Sequence, residues 1–358
     1  MSDNAVERLG SETEETPKYF KRKYLAAAPL YAWSSSVIHR YLAGRSALQL
    51  SQWFGNNLRV RFQEHQALNT AEGVVLDNFL DFFSNDVTAA LLDAMCGKGL
   101  LECNPGFTRA FWTFCDNFPT FMKRTPRFLA RKATTPLDED GDDLLWGSAF
   151  FRERFSTFVY EMGFDARDMA SMELGFLFGA SENVIMNTYW CAIDVFKDQP
   201  LLRVSAENKL IQQPLLQAVL AESLSLRCHN MFIRKTTEVI NIMSWAIPKD
   251  RFVIAWSTPG QMDSKVWSNT DDLHPVDTFW PGRFLKYTDV SESPQFSARR
   301  HFAKIHCIVT LAMMVEIFDC NILAEPKVLK VDQSKFGMGV LAPSGKVVAR
   351  LRGRETTN

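Results

Sequence analysis

The sequence predicts a mainly α-helical fold with a small β-sheet. Apolar residues recur at three- and four-residue steps from Tyr24 to about Arg131 and again over 164–198, the period of a helix with one buried face. Strand-like runs come late, at 252–257 and 337–353. No alternating βαβ rhythm and no solenoid-period repeat is visible.

In chain order, residues 1–17 form an acidic stretch (Asp3, Glu7, Glu12, Glu14, Glu15) expected to be disordered, and 18–358 are expected to form one domain. "RSALQLSQWFGNNLRVRFQEH" reads as an amphipathic helix. In "VVLDNFLDFFSNDVTAALLDAMC", Val75, Phe79, Phe82 and Phe83 are expected on one apolar helical face. Asn104-Pro105 is expected to open the next helix, because proline at the first helical position forfeits no hydrogen bond. The run "LDEDGDDLL" (137–145) lacks calcium-loop spacing and reads as a solvated loop.

"FDARDMASMELGFLFGASENVIMNTYWCAIDVFKD" (164–198) is apolar nearly all round, as a central helix must be. Ser181, Glu182, Asn183 and Asn187 interrupt it at mid-length. Buried polar groups there need partners or a ligand; an internal network and a kink at Gly179 are the alternatives. Pro214 opens a helix with Leu216, Leu220 and Leu224 on one stripe. "FVIAWS" (252–257) reads as a strand, and "GMGVLAPSGKVVARLRG" (337–353) as a hairpin through Pro343-Ser344-Gly345.

With 358 residues and 46% hydrophobic content, the chain can bury a large core. Forty basic against 41 acidic residues exclude a nucleic-acid footprint. Seven dispersed cysteines without a CxxC pair point to a reducing compartment rather than disulfides or zinc. No leader-like apolar run and no window long enough for a transmembrane segment are present, so a soluble, cytoplasmic protein is expected. "KRK" (21–23) leaves peripheral contact with the endoplasmic reticulum open. P-loop, GxGxxG, GxSxG and HExxH motifs are absent, and "CGKG" (96–99) is too short to cradle phosphates. His301 and His306 are five apart, on different helical faces, so no metal pair is expected.

The succession in the second half is a central helix with mid-length polar residues, a helix carrying Glu222, strands, "FWPGRFL" (279–285), "RRHFAKIHCIVTLAMMVEIFDCNIL" and a terminal strand region. It resembles the cytochrome P-450 monooxygenases, in particular the fungal members similar to bile-acid 7α-hydroxylase and prostacyclin synthase. "GFDARDMASMELGFLFGASENV" and "FWPGRFLKYTD" carry the resemblance, which runs from about Arg45 to Gly353. That family holds haem through a cysteine thiolate in a glycine-rich loop. Here Ser297 stands at the cysteine's position and the preceding segment is shortened. The family's Glu-x-x-Arg reads Glu222 to Ser225, with Arg283 as the remaining partner of Glu222. The acid–alcohol pair reads Asn183-Val184. The resemblance therefore implies a truncated P-450-like fold lacking the Cys-ligand loop and the N-terminal membrane anchor, and the departures lead to the expectation of no haem and no other cofactor.

Without haem the fold would enclose an unfilled chamber, and empty core volume costs about 20–25 cal/mol per Å³. The expected function is a cofactor-independent cyclase of fungal secondary metabolism, a Diels–Alder [4+2] pericyclase of lyase or isomerase class rather than a monooxygenase. Its partner would be a small apolar substrate, an oxidised terpenoid or a polyketide, with a norbornene-type product as one outcome. The resemblance gives Arg234, Asn183 and Glu182 as candidate catalytic residues, Arg234 to hold a carboxylate or polarise a carbonyl. Phe178, Ser181, Met231, Phe232 and His229 are candidate substrate-binding residues. A surface role for Arg234 is the simpler alternative. For the whole chain, the alternative is a non-catalytic pseudoenzyme or a partner of an active monooxygenase or other pathway enzymes.

Overall fold

The computed structural model describes residues 40–42, 44–68, 70–121, 148–161, 163–207, 214–267, 273–288, 291–296, 302–333 and 337–354. The acidic stretches 1–17 and 137–145, "KRK" (21–23), Ser297 and His301 lie outside them.

Helix α1 (Gly44–Gln63) buries Leu50, Phe54, Leu58 and Phe62, an i, i+4 stripe, against α2 (Thr88–Cys96). Between them, Phe79, Phe82 and Phe83 are buried as expected, but Val75 is not on their face. It lies in a short strand, β1 (Val74–Leu76), and is exposed. Pairing with the distant strand residues 349–351 outweighs the local helical period there. Helix α3 (Phe107–Phe121) starts two residues beyond Pro105, which sits in a turn. Helix α4 (Ala149–Phe155) follows.

The expected central helix is present, but in two parts. Helix α5 (Ala166–Leu177) begins at Asp165, whose carboxylate accepts from the backbone N–H groups of Arg167 and Asp168, both at 2.8 Å. A π-turn (Phe178–Glu182) follows, and α6 (Asn183–Lys197) completes the rod. Around α6 pack α7 (Gln199–Glu207), α8 (Pro214–Arg227) and α9 (Phe302–Ile317), which also lies against α1. Helix α6 is buried from Ile185 to Ile193, which is why its sequence has no polar face.

The strands are short and antiparallel. Strand β2 (Cys228–Lys235) lies between β5 (Phe252–Trp256) and β9 (Met338–Val340). The hairpin β3 (Ile240–Ile242) and β4 (Trp245–Ile247) extends the β2–β5 ribbon, and β6 (Leu285–Thr288) pairs with β7 (Ser291–Phe296). A second sheet runs β1, β10 (Ala349–Gly353), β8 (Phe318–Ile322). The terminal hairpin expected over 337–353 is therefore not formed. Its two halves enter different sheets, and the turn residue Pro343 bridges to Val331 instead. Among the described residues no helix is long and apolar enough to cross a membrane.

Candidate functional site

The mid-length polar residues of the central rod fall on the π-turn and the first two turns of α6. A π-turn inserts a residue into the helix and concentrates at functional positions. Ser181 is fully buried and its Oγ has no hydrogen-bond partner. Such a hydroxyl costs about 1–3 kcal/mol unless something accepts or donates there. Asn183 follows: its Oδ1 accepts from the backbone N–H of Val340 at 2.8 Å, tying the helix break to β9. The tie needs Gly339, at φ +111°, because a Cβ at that position would collide with Asn183 Oδ1. Among the described residues the Asn183 amide nitrogen makes no hydrogen bond, so its two N–H groups can serve a ligand.

Gly339 is in register with His229 on β2. His229 is buried, with Nδ1 2.8 Å from Thr258 Oγ1, and burial lowers its pKa, so it is neutral at pH 7. Strand β2 then runs outward. Met231, half-buried, faces Gly337, where an added Cβ would lie 3.2 Å from its own Cβ. Phe232 and Arg234 are exposed, and an Arg234 Nη1 hydrogen donates to the Ile233 carbonyl at 2.8 Å. Phe178, half-buried, meets Phe114 edge to face.

The structure thus brings Asn183 and His229 together at β9, keeps Ser181 and Glu182 on the π-turn just before Asn183, and carries Arg234 away. His229 and Arg234 are five residue steps apart along the strand, about 17 Å. Sequence reasoning missed Gly339, Val340 and Thr258. The Gly-x-Gly of "GMGV" was the available signal, since paired glycines mark close backbone approach.

Beneath the site, α6 and α9 touch directly. Cys307 Sγ donates to the Val184 carbonyl at 3.5 Å, which also accepts from Thr188 Oγ1 at 2.7 Å. Burial pushes the Cys307 thiol up to about 11, against hydrogen bonds with Thr188 and Asn187, so it is neither a thiolate nor a nucleophile at pH 7.

The expected pair of Glu222 and Arg283 is formed and buried. Arg283 Nε donates to Glu222 Oε1 at 2.9 Å, and the Trp280 backbone N–H donates to the same oxygen at 2.8 Å. Glu222 Oε2 lies 2.9 Å from the same Arg283 nitrogen but accepts no aligned hydrogen bond, and Ser225 stands where the resemblance puts a second arginine. Two residues on, Arg227 instead clamps α8 to α6 through both oxygens of Asp194, at 2.7 and 2.8 Å, and lies over the Trp190 ring at 4.5 Å.

No family model matches the chain. It is similar to the cytochrome P450 monooxygenase fsoE of Humicola fuscoatra, 26% identical over 84% of this chain and 68% of that one. It is also similar to the cytochrome P450 monooxygenase efuG of Hormonema carpetanum, 24% identical over 89% of this chain and 72% of that one. Among solved structures, the open cytochrome P450 EryK from S. erythraea superposes with a TM-score of 0.59 at 13% identity, covering 99% of this chain and 86% of that one. These relatives and this structure carry the name of a haem family, which overturns the expectation that the fold comes without a cofactor: the comparison points to haem. Position 297, where the resemblance puts the axial ligand, is serine and lies outside the described residues. Cys307 is a hydrogen-bonded thiol in the core, and the donor set on view does not supply a haem thiolate. The chain has a mainly α-helical, cytochrome P450-like fold with small sheets.

Proposed function

We propose that the chain is an enzyme acting on a bulky apolar small molecule bound at the helix break, and that the reaction is an intramolecular cyclisation of the [4+2] type on an oxidised terpenoid. The observation that carries the reading is Ser181 Oγ, buried on the π-turn without a partner. A substrate carbonyl there would accept the hydroxyl hydrogen, and that bond strengthens as charge builds on the oxygen in the transition state. Holding diene and dienophile in contact supplies the rest, since two carbon–carbon bonds form with no group transferred. Phe178 and Met231 wall the substrate, the amide nitrogen of Asn183 and the carboxyl of Glu182 orient it, and Arg234 meets a carboxylate at the outer end of β2. Residues 18–358 act as one unit in this reading.

The similarity to two fungal monooxygenases favours a second reading, oxidation of the same class of substrate. One experiment separates them. The purified full chain is scanned for a Soret band, reduced with and without carbon monoxide, and then incubated with candidate terpenoids under mass spectrometry. A product of unchanged mass, slowed by Ser181→Ala without loss of stability, supports cyclisation. A carbon-monoxide-shifted band with a product heavier by one oxygen supports oxidation and refutes the cyclase. Neither product, with no retained small molecule, leaves the non-catalytic partner role.

A further inference from the structure

At the far end of α6 from the helix break, about 22 Å along its 15 residues, an open groove of about 830 Å³ lies between α7 and the outer face of the β1–β10–β8 sheet. Its floor follows from strand alternation. Ala349 and Leu351 of β10 point into the core, so Arg350 and Arg352 point out, and Arg354 continues the row just past the strand. Successive arginines along this row are about 7 Å apart. Arg203 of α7 faces them across the groove. Gly73, at φ +74°, lets the neighbouring loop close over the row, because a Cβ there would lie 2.8 Å from that of Arg352.

The charges are unequal. Asp319 of β8 holds two of the four arginines, accepting from Arg352 Nη2 at 3.0 Å and Arg354 Nε at 2.8 Å. Among the described residues Arg203 and Arg350 have no ion-pair partner; in the sheet Arg350 is opposite Asn321 and Val75. With Glu72 the only other acid among the described lining residues, four positive charges there face two negative ones in a chain whose total is −1. A guanidinium fork matches the paired oxygens of phosphate and carboxylate. The groove is too large for one phosphate, and none of the described residues lining it has an aromatic ring to stack a base.

We infer that this groove binds a small ligand carrying several anionic oxygens, a polyphosphate or a polycarboxylate, with Arg203 and Arg350 as its primary contacts and Arg352 and Arg354, partly neutralised by Asp319, as secondary ones. The site is separate from the helix break and does not depend on the reaction proposed there.

The test is calorimetric titration of the purified full chain with tripolyphosphate, citrate and orthophosphate at two salt concentrations. Tripolyphosphate or citrate binds saturably and more weakly at high salt, and whichever binds tighter identifies the oxyanion source. The paired change Arg203→Ala with Arg350→Ala weakens binding by about tenfold or more, as expected for lost charge-assisted bonds. Asp319→Asn tightens it, because one negative charge leaves the groove while the sheet keeps its backbone pairing. Arg109→Ala, exposed on α3, leaves it unchanged. Orthophosphate binding as tightly as the multivalent anions would mean an adventitious ion only. That outcome, binding indifferent to the arginine pair, weakening by Asp319→Asn, or no binding of either multivalent anion overturns the assignment.

Discussion

Replacing Arg283 by methionine is the sharpest probe of how this fold is held. Arg283 and Glu222 are both nearly inaccessible, with side chains 3% and 1% exposed. Three of the guanidinium's four remaining N–H groups donate to the carbonyls of Trp267, Pro275 and Thr278, at 3.1, 3.0 and 3.0 Å. Methionine fills much of the volume but donates nothing. Glu222 would keep one hydrogen bond, from Trp280, and would stand as a buried carboxylate without a counter-charge, which costs about 3–5 kcal/mol. Changing Glu222→Gln together with Arg283→Met removes both charges and both desolvation penalties, so the double variant should be less destabilised than the sum of the two single changes. Urea unfolding followed by tryptophan fluorescence at pH 7 measures all four corners of the cycle. The pH dependence gives an independent check. Burial holds the Glu222 carboxyl above the usual carboxylate range, against the pull of the Trp280 N–H and Arg283. The native state then binds a proton that the unfolded state has already released. Stability from this group is therefore present at low pH and falls as pH rises from the usual carboxylate value through the raised one, a slope that Glu222→Gln abolishes. Single changes costing under about 1 kcal/mol, or a cycle additive within about 0.5 kcal/mol, would refute the argument.

Three further outcomes follow from the same geometry. Ser225→Arg returns a donor to Glu222 Oε2 and should raise stability by about 1 kcal/mol in the same unfolding assay. Gly339→Ala forces a side chain onto Asn183 Oδ1 at a left-handed φ and should cost about 2 kcal/mol or more, partly restored when Asn183→Ala is added; both are read by thermal denaturation. Maleimide at pH 8 should label exposed Cys103 in the native protein and leave Cys307 untouched until urea is added, since its thiol titrates near 11. Peptide mapping by mass spectrometry scores the two sites.

What the sequence made legible was local. Pro214 at a first turn and the unbroken apolarity of α6 each fix an element through contacts within a few residues. Glu222 with Arg283 was legible through the resemblance, not through spacing. The misreadings share one cause. Val75 and the 337–353 segment take their structure from partners far along the chain, and no periodicity within a window reports a partner at 349 or at 228. The same holds at the site: Asn183 and Val340 meet across 157 positions. Arg227 had no local mark either, because Asp194 and Trp190 reach it only once α6 and α8 are packed. The arginine row of β10 was visible as alternation, but the hairpin reading hid which sheet would present it.

The π-turn bears on how this chain can change over time. Each added residue turns a helix by about 100°, so the extra residue between Leu177 and Asn183 sets the angular phase of everything after it. Deleting one residue there would make the rod a regular helix, yet it would swing Asn183 off Val340, Trp190 off the Leu341 carbonyl and Asp194 off Arg227 together. Substitutions in the rod can be accepted one at a time; a change of its length cannot. The helix break is thus fixed in register by contacts as far as eleven residues downstream, and lineages of this fold are expected to vary the residues on the turn while keeping their number.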